Sequence, residues 1–390
     1  MRAHPEKGMS PEKLRGILEE LGPVYVKLGQ MLAVSSTLIP EEYRAELQKL
    51  RSAAAPMGSA AVQELLEREY GAADGVFSAF SPVPEGAASV AQVHKAVLKS
   101  GETVAVKLLR PGSRELMERD IGILRGVGKS PLLASVRKVA DLDMLLDELW
   151  SAAQSELDLR AEAEHMERFA RRSPLSRCPA VYDGLCTGNV LVMEFIDGVQ
   201  LDSPDAAGKC GGAEALMGRL ALDYARQVFC SGYFHADPHP GNIRVRDGEL
   251  VWLDLGLMGE VSPGDRRQFA RGLRAIVFDD SPELAGILMS MGSCGDGVDR
   301  EGLAADIAPL LREFKSGALS DADLPKLASR FLSLARRHGI VMPPNVTLLT
   351  RGVLALAGLI QTLAPDFDLL SIAPEIIKLS SAAVEDQHEN

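Results

Sequence analysis

The stretch F-H-A-D-P-H-P-G-N-I, residues Phe234 to Ile243, decides how the rest of the chain is read. Pro238 and Pro240 fix φ and carry no backbone N–H, so the segment is a rigid loop, neither helix nor inner strand. Asp237 and Asn242 stand on it five residues apart. N-I-R-V-R, Asp247-Gly248 and E-L-V-W-L-D follow, and a D-G pair between alternating runs signals a tight hairpin. Asp254 lies at its far end, in L-D-L-G. Two oxygen donors flanking a short hairpin can converge on one hard cation, and an Asn–Asp pair suits Mg²⁺ held jointly with phosphates. Asp237, left over, can orient or deprotonate a nucleophile.

Upstream, S-V-A-Q-V-H-K-A-V-L-K, then S-G-E, then T-V-A-V-K-L-L-R-P reads as a hairpin of two strands. Alternation puts Thr103, Ala105 and Lys107 on one face and Val104, Val106 and Leu108 on the other. The small Ala105 leaves room for a flat base beside the Lys107 ammonium. Alone, a strand-ending lysine is more often a solvated edge residue. Upstream of D-x-x-x-x-N and D-x-G, the order found in the protein-kinase fold, it reads as the phosphate-pairing lysine. One long helix is expected from about Asp141 to Arg172, ended by Ser173-Pro174. It offers Glu156, Asp158, Glu162 and Glu164 as carboxylate partners for that lysine. On a continuous helix Asp158 and Glu162 share a face, while Glu156 points about a third of a turn away from Glu162. Glu164 reads as solvated. Gly86-Ala87-Ala88-Ser89 is a small-residue loop where a kinase has glycines, hence a stiffer phosphate cradle.

The remaining chain frames these motifs. Pro11 to about Glu69 is helical in pattern, opened by Ser10-Pro11. Lys27 and Gln30 share one helix face there, and spacing alone makes Lys27 a snorkelling surface lysine. Short strands are expected at Val181-Tyr182 and Val190–Ile196, a Gly-rich link at Pro204–Gly212, and only helices, about five, beyond Gly264. The expected division is residues 1–75, a helical extension; 76–200, a small sheet with the long helix; and 201–390, a helical lobe carrying the loop and hairpin.

Composition sets the outer bounds. Lys plus Arg number 42 and Asp plus Glu 54, so the formal net charge is −12. With 46% hydrophobic and 25% charged residues the chain is globular, not disordered. Its acidity, without a long basic block, argues against nucleic acid as a partner. Cys178, Cys186, Cys210, Cys230 and Cys294 are scattered without a C-x-x-C pair, which fits a reducing cytosol better than a disulfide framework or a structural zinc. The N-terminus lacks the apolar run of a signal peptide. The charge-free stretch Gly352–Pro365 is too short for a transmembrane helix and is expected to be a buried one. A cytoplasmic location follows as the expectation, with peripheral membrane contact left open.

Taken together, the motifs resemble the UbiB family (also called AarF or ADCK) of atypical kinase-like proteins. The likeness rests on K-L-G-Q at Lys27–Gln30, A-A-S-V-A-Q-V-H, V-A-V-K, E-L-D at Glu156–Asp158 and E-A at Glu162-Ala163. It continues through H-A-D-P-H-P-G-N, L-D-L-G and R-G-V-L-A-L-A-G-L from Arg351. The resemblance implies an α+β, protein-kinase-like two-lobed fold with an N-terminal K-x-G-Q helical extension and a mostly helical C-lobe. By the same likeness Lys107 pairs with Glu162 and with nucleotide phosphates, Asn242 and Asp254 hold Mg²⁺, and Asp237 is the catalytic aspartate. Gly86, Ala87, Ala88, Ser89 and Ala105 would border the nucleotide, ATP or ADP, with a hinge at Glu194 to Ile196. Lys27 and Gln30 would meet Glu156 and Asp158 where a protein substrate would otherwise bind. The implied activity is a Mg²⁺-dependent ATPase supporting isoprenoid quinone or other isoprenoid-lipid biosynthesis, with little protein-kinase activity in trans. A lipid or quinone precursor is the implied partner. The alternatives are a nucleotide-binding pseudokinase scaffold, a small-molecule phosphotransferase, and a zinc hydrolase built on His235, Asp237, His239 and Asp254. Gly86 departs from the family's usual alanine, and His165 stands where the family often has asparagine.

Overall fold

The computed structural model describes residues 9–34, 39–47, 49–50, 55–71, 75–130, 142–295, 297–315 and 324–385. The extreme N-terminal residues and the polar tail lie outside that set. The chain forms two compact units, one of residues up to 164 with 180–195, the other of 165–179 with 196 onward.

Unit 1 opens with α1 (Pro11–Leu21), α2 (Pro23–Val34), α3 (Glu41–Leu47) and α4 (Ser59–Tyr70). Ser10 caps α1 by accepting the Lys13 N–H, with Pro11 at the first helical position. Leu18, Val26, Ala33, Leu47 and Leu50 bury the first three helices against one another. A Cβ on Gly29 would come within 2.4 Å of Leu50, so the glycine of K-L-G-Q is what admits this packing. An antiparallel sheet follows: β1 (Phe77–Phe80), β2 (Gly86–Ala87), β3 (Ala91–Leu98), β4 (Thr103–Leu109) and, after the helices, β5 (Val190–Glu194). Its order is β1-β3-β4-β5, with β2 on β3. Val104, Val106 and Leu108 are fully buried with Val62, Leu65 and Leu66 of α4, so one face of β4 is committed to the core. Lys107 lies on the other, opposite Val93 of β3 and Leu191 of β5.

The helices between β4 and β5 are α5 (Ser113–Gly128), α6 (Leu142–Glu156) and α7 (Leu159–Arg172). The single helix expected from Asp141 to Arg172 is therefore two. Asp158 Oδ1 accepts the Ala161 N–H at 3.0 Å, and a capping aspartate starts a new helix inside an otherwise helical pattern. The angular comparison of Glu156 with Glu162 does not survive the break. Val181 forms only an isolated bridge to Met193, not a strand.

Unit 2 contains β6 (Val199–Gln200), α8 (Pro204–Cys210), α9 (Ala213–Arg226), a π-helical turn at Gln227–Ser231 and β7 (Tyr233–His235). The expected link at Pro204–Gly212 is mostly α8, capped by Ser203 and ended by left-handed Gly211. β8 (Ile243–Arg246) and β9 (Glu249–Trp252) pair in register, with Asp247 at φ 54° and Gly248 at φ 79°. Both central residues have positive φ, as a type I′ hairpin requires. β10 (Met258–Glu260) pairs with β7. Then come α10 (Pro263–Phe278), α11 (Ser281–Met291), β11 (Ser293–Cys294), α12 (Arg300–Lys315), α13 (Leu324–Arg337), β12 (Ile340–Val341), α14 (Pro344–Leu363) and α15 (Ala373–Glu385). The β11–β12 pair interrupts what was expected to be all helix. α14 is also longer than its charge-free stretch, because it starts seven residues before Arg351. By length and composition alone it could cross a membrane, and 39% of its apolar window is buried within the protein.

Candidate functional site

In unit 1, β4 presents Lys107 to the first turn of α7. Lys107 Nζ donates to both carboxylate oxygens of Glu162, each at 2.8 Å. The side chains are 14% and 3% exposed, so the two charges are largely desolvated and offset one another. Asp158, by capping α7, fixes the turn from which Glu162 projects. Lys27 of α2 pairs with Glu156, the last residue of α6, at 2.5 Å. Gln30 donates to the Leu50 carbonyl at 3.3 Å.

The small-residue loop is a hairpin end. Gly86 and Ala87 pair with Val93 and Gln92, and the Ala88 N–H donates to the Ala91 carbonyl at 2.8 Å. A Cβ on Gly86 would meet nothing within 4 Å, so alanine would fit there. At the end of β5 the Glu194 N–H donates to the Ala180 carbonyl at 2.8 Å.

In unit 2, the Ile196 carbonyl accepts from Arg244 at 3.2 Å. The loop of Asp237 is built around His235. Its Nδ1 accepts the Asp237 N–H at 3.1 Å, so Nε2 carries the proton and donates to the Asp254 carbonyl. Complete burial lowers the His235 pKa, which keeps the ring neutral. One imidazole thus ties Asp237 to Asp254. The hairpin closes the rest: Leu253 N–H donates to the Asn242 carbonyl at 2.8 Å, which sets Asn242 opposite the residue that precedes Asp254. Asn242 Nδ2 donates to the Asp237 carbonyl at 3.3 Å, leaving its Oδ1 for another partner. Asp254 Oδ1 accepts the Gly256 N–H at 3.0 Å. The Asp237 carboxylate forms no hydrogen bond or ion pair with another described residue.

Several supporting residues carry no sequence signal of their own. Asp223 is buried and accepts from Trp252 Nε1, Ser176 Oγ and Gln227 Nε2, while Gln227 Oε1 accepts the His235 N–H. Burial pushes the Asp223 carboxyl up, and those donors pull it back. Tyr224 donates its hydroxyl to the His235 carbonyl at 2.9 Å. A Cβ on Gly352 of α14 would lie 2.1 Å from that hydroxyl, so this glycine admits the contact. His165 Nδ1 donates to the Leu255 carbonyl at 3.0 Å, as an asparagine amide could. Arg168 and Arg172 both pair with Glu260, which holds β10 just beyond L-D-L-G.

The donor set fits magnesium. An amide oxygen and a carboxylate are hard oxygen donors that would supply part of a shell for phosphate oxygens and water to complete. Among the described residues no group of three His, Cys, Asp or Glu could cage a metal unaided. Both ring nitrogens of His235 are engaged, so it cannot ligate zinc.

A strand lysine paired to a helix glutamate, followed along the chain by D-x-x-x-x-N and a D-x-G after a hairpin, defines a protein-kinase-like α+β protein. Residues 49–288 match the model of the ABC1 atypical kinase-like domain, and the chain belongs to that atypical kinase-like family. It is 32% identical over 385 residues to the probable protein kinase UbiB of Marinobacter nauticus, covering 94% of this chain and 69% of that one. It is 31% identical over 374 residues to an uncharacterized protein in the hydrogenase 1 5′ region of Clostridium pasteurianum, covering 95% and 71%. Among solved structures it resembles the Rv3197–erythromycin complex of Mycobacterium tuberculosis. That match has a TM-score of 0.58 and 24% identity, and covers 90% of this chain and 94% of that one. This likeness is one of fold.

Proposed function

We propose that the chain is an atypical kinase-like ATPase that binds ATP or ADP with Mg²⁺ and hydrolyses ATP in support of isoprenoid-lipid or quinone biosynthesis. The observation that carries nucleotide binding is the Lys107–Glu162 pair. A buried carboxylate holds the ammonium in one place, ready to meet phosphate oxygens. Ala105 on the same strand face would leave space for a base, and the turn at Gly86–Ser89, whose Ala88 N–H is already held by the Ala91 carbonyl, would border the phosphates. Asn242 and Asp254 would hold the cation, which supplies charge neutralisation at the transferred phosphate. Asp237, with its carboxylate uncommitted and its backbone clamped by His235, would orient a nucleophile and take its proton.

Lys27 and Glu156, locked together, would keep a protein acceptor out and leave water as the acceptor. The lipid role, and a lipid or membrane partner, rest on the family likeness. The test is phosphate release from MgATP by the purified chain, with and without isoprenoid-lipid vesicles. Release that is lost in Asp237→Asn supports the ATPase reading. Tight nucleotide binding with no release under either condition identifies a scaffold instead.

A further inference from the structure

Arg110 leaves β4 three residues after Lys107 and turns back on the small-residue loop. Its backbone N–H donates to the Val90 carbonyl at 2.8 Å. Its Nε donates to the Ala88 carbonyl at 2.9 Å, and its Nη2 to the Ala55 carbonyl at 2.8 Å. One guanidinium therefore joins the turn at Ala88 to the segment that precedes α4. A second tie lies beside it. The Met57 N–H donates to Gln92 Oε1 at 2.7 Å, and the Gln92 amide meets His94 Nε2 at 2.6 Å. His94 Nδ1 bonds the Ser81 carbonyl, which can only accept, so Nδ1 holds the proton and Nε2 accepts from Gln92. That orients Gln92 Oε1 toward Met57.

We infer that Arg110 is a positioning residue, a clasp through which the segment at Ala55–Met57 sets the stiffness of the turn at Gly86–Ala91. The inference rests on the reading of that turn as the nucleotide loop. A turn of alanines has less backbone freedom than one of glycines, and carbonyls anchored by a charged donor open less often. Loop opening gates release in many nucleotide enzymes, so the clasp would slow nucleotide escape. A guanidinium fork holds two carbonyls in a fixed planar geometry, whereas a lysine ammonium is a point charge on a flexible stem and holds them less rigidly.

The experiment compares full-length wild type, Arg110→Ala and Arg110→Lys by hydrogen–deuterium exchange, and by stopped-flow release of a fluorescent ADP in the presence of Mg²⁺. The expected result is exchange about tenfold faster in Arg110→Ala at residues 86–92 and 55–58, each segment losing one charge-assisted bond, with β5 unchanged and partial recovery in Arg110→Lys. ADP release should rise by a similar factor. Unchanged exchange at 86–92, or an equal rise throughout β3, β4 and β5, overturns the clasp. Faster exchange with unchanged ADP release overturns its effect on the nucleotide. If the wild type binds no nucleotide, the proposed function fails while the exchange arm still decides whether the clasp exists.

Discussion

Lys107 Nζ sits 2.8 Å from each carboxylate oxygen of Glu162, in a pair whose acid is almost wholly buried. Removing the lysine takes this cation away from a buried carboxylate, which costs about 3 kcal/mol or favours uptake of a proton by the acid. Lys107→Ala should therefore lower the denaturation midpoint more at pH 8 than at pH 5, while Glu162→Gln in the same background should restore most of the loss. Nucleotide affinity, read by titration calorimetry, should fall at least tenfold in Lys107→Ala.

Asp237 presents the opposite case. With no hydrogen bond or ion pair to another described residue, its carboxylate contributes little to the fold. Asp237→Asn should leave stability within about 0.5 kcal/mol of wild type. A loss of several kcal/mol in urea unfolding would show that the acid has a structural role.

Lys27 and Glu156 form a part-buried pair, worth about 1 kcal/mol. Lys27→Ala should keep the fold and increase autophosphorylation, measured by intact mass after incubation with MgATP. No added phosphate would argue that this pair does not exclude an acceptor.

His94 supplies a pH signature. Burial holds its pKa below the ordinary 6.5, partly offset by the Ser81 carbonyl. Above pH 6.5 the ring is neutral in both folded and unfolded chains, so its contribution is complete. As pH falls below 6.5 the unfolded chain gains the proton first and stability drops, by up to about 1.4 kcal/mol per pH unit, until the folded pKa is reached. Urea unfolding at pH 7.5 and 5.5 should show a larger acid loss in wild type than in His94→Gln. His235 shifts the same way but is present in both proteins, so the difference isolates His94.

Gly352 and Tyr224 should be coupled. Gly352→Ala places a methyl group against the Tyr224 hydroxyl and should cost about 1–3 kcal/mol. Tyr224→Phe removes that oxygen, so the double variant should be more stable than the single losses sum to. Strict additivity in thermal unfolding would show that the two do not touch.

What could be read from the sequence was local. The Asp247-Gly248 turn was legible because positive φ at both central residues restricts residue choice. The β3–β4 hairpin was legible from alternation that commits Val104, Val106 and Leu108 to one face. The break at Asp158 was hidden because a capping aspartate fits the composition of an acidic helix. α8 carried its own signals, Ser203-Pro204 before it and Gly211 after it, but its glycines read as a link. The Asp223–Trp252 bond spans 29 residues, and no spacing rule predicts such a pair. β11 and β12 are two residues each, too short to show a period.

The most direct test of the account is phosphate release from MgATP by wild type and Asp237→Asn, with Mg²⁺–ADP affinity measured on the same samples. Steady release is expected from wild type, with a loss of at least about a hundredfold in the variant and ADP affinities within about threefold of each other. Equal release from both proteins, or no nucleotide binding by a wild type whose Lys107–Glu162 pair is intact, would contradict it.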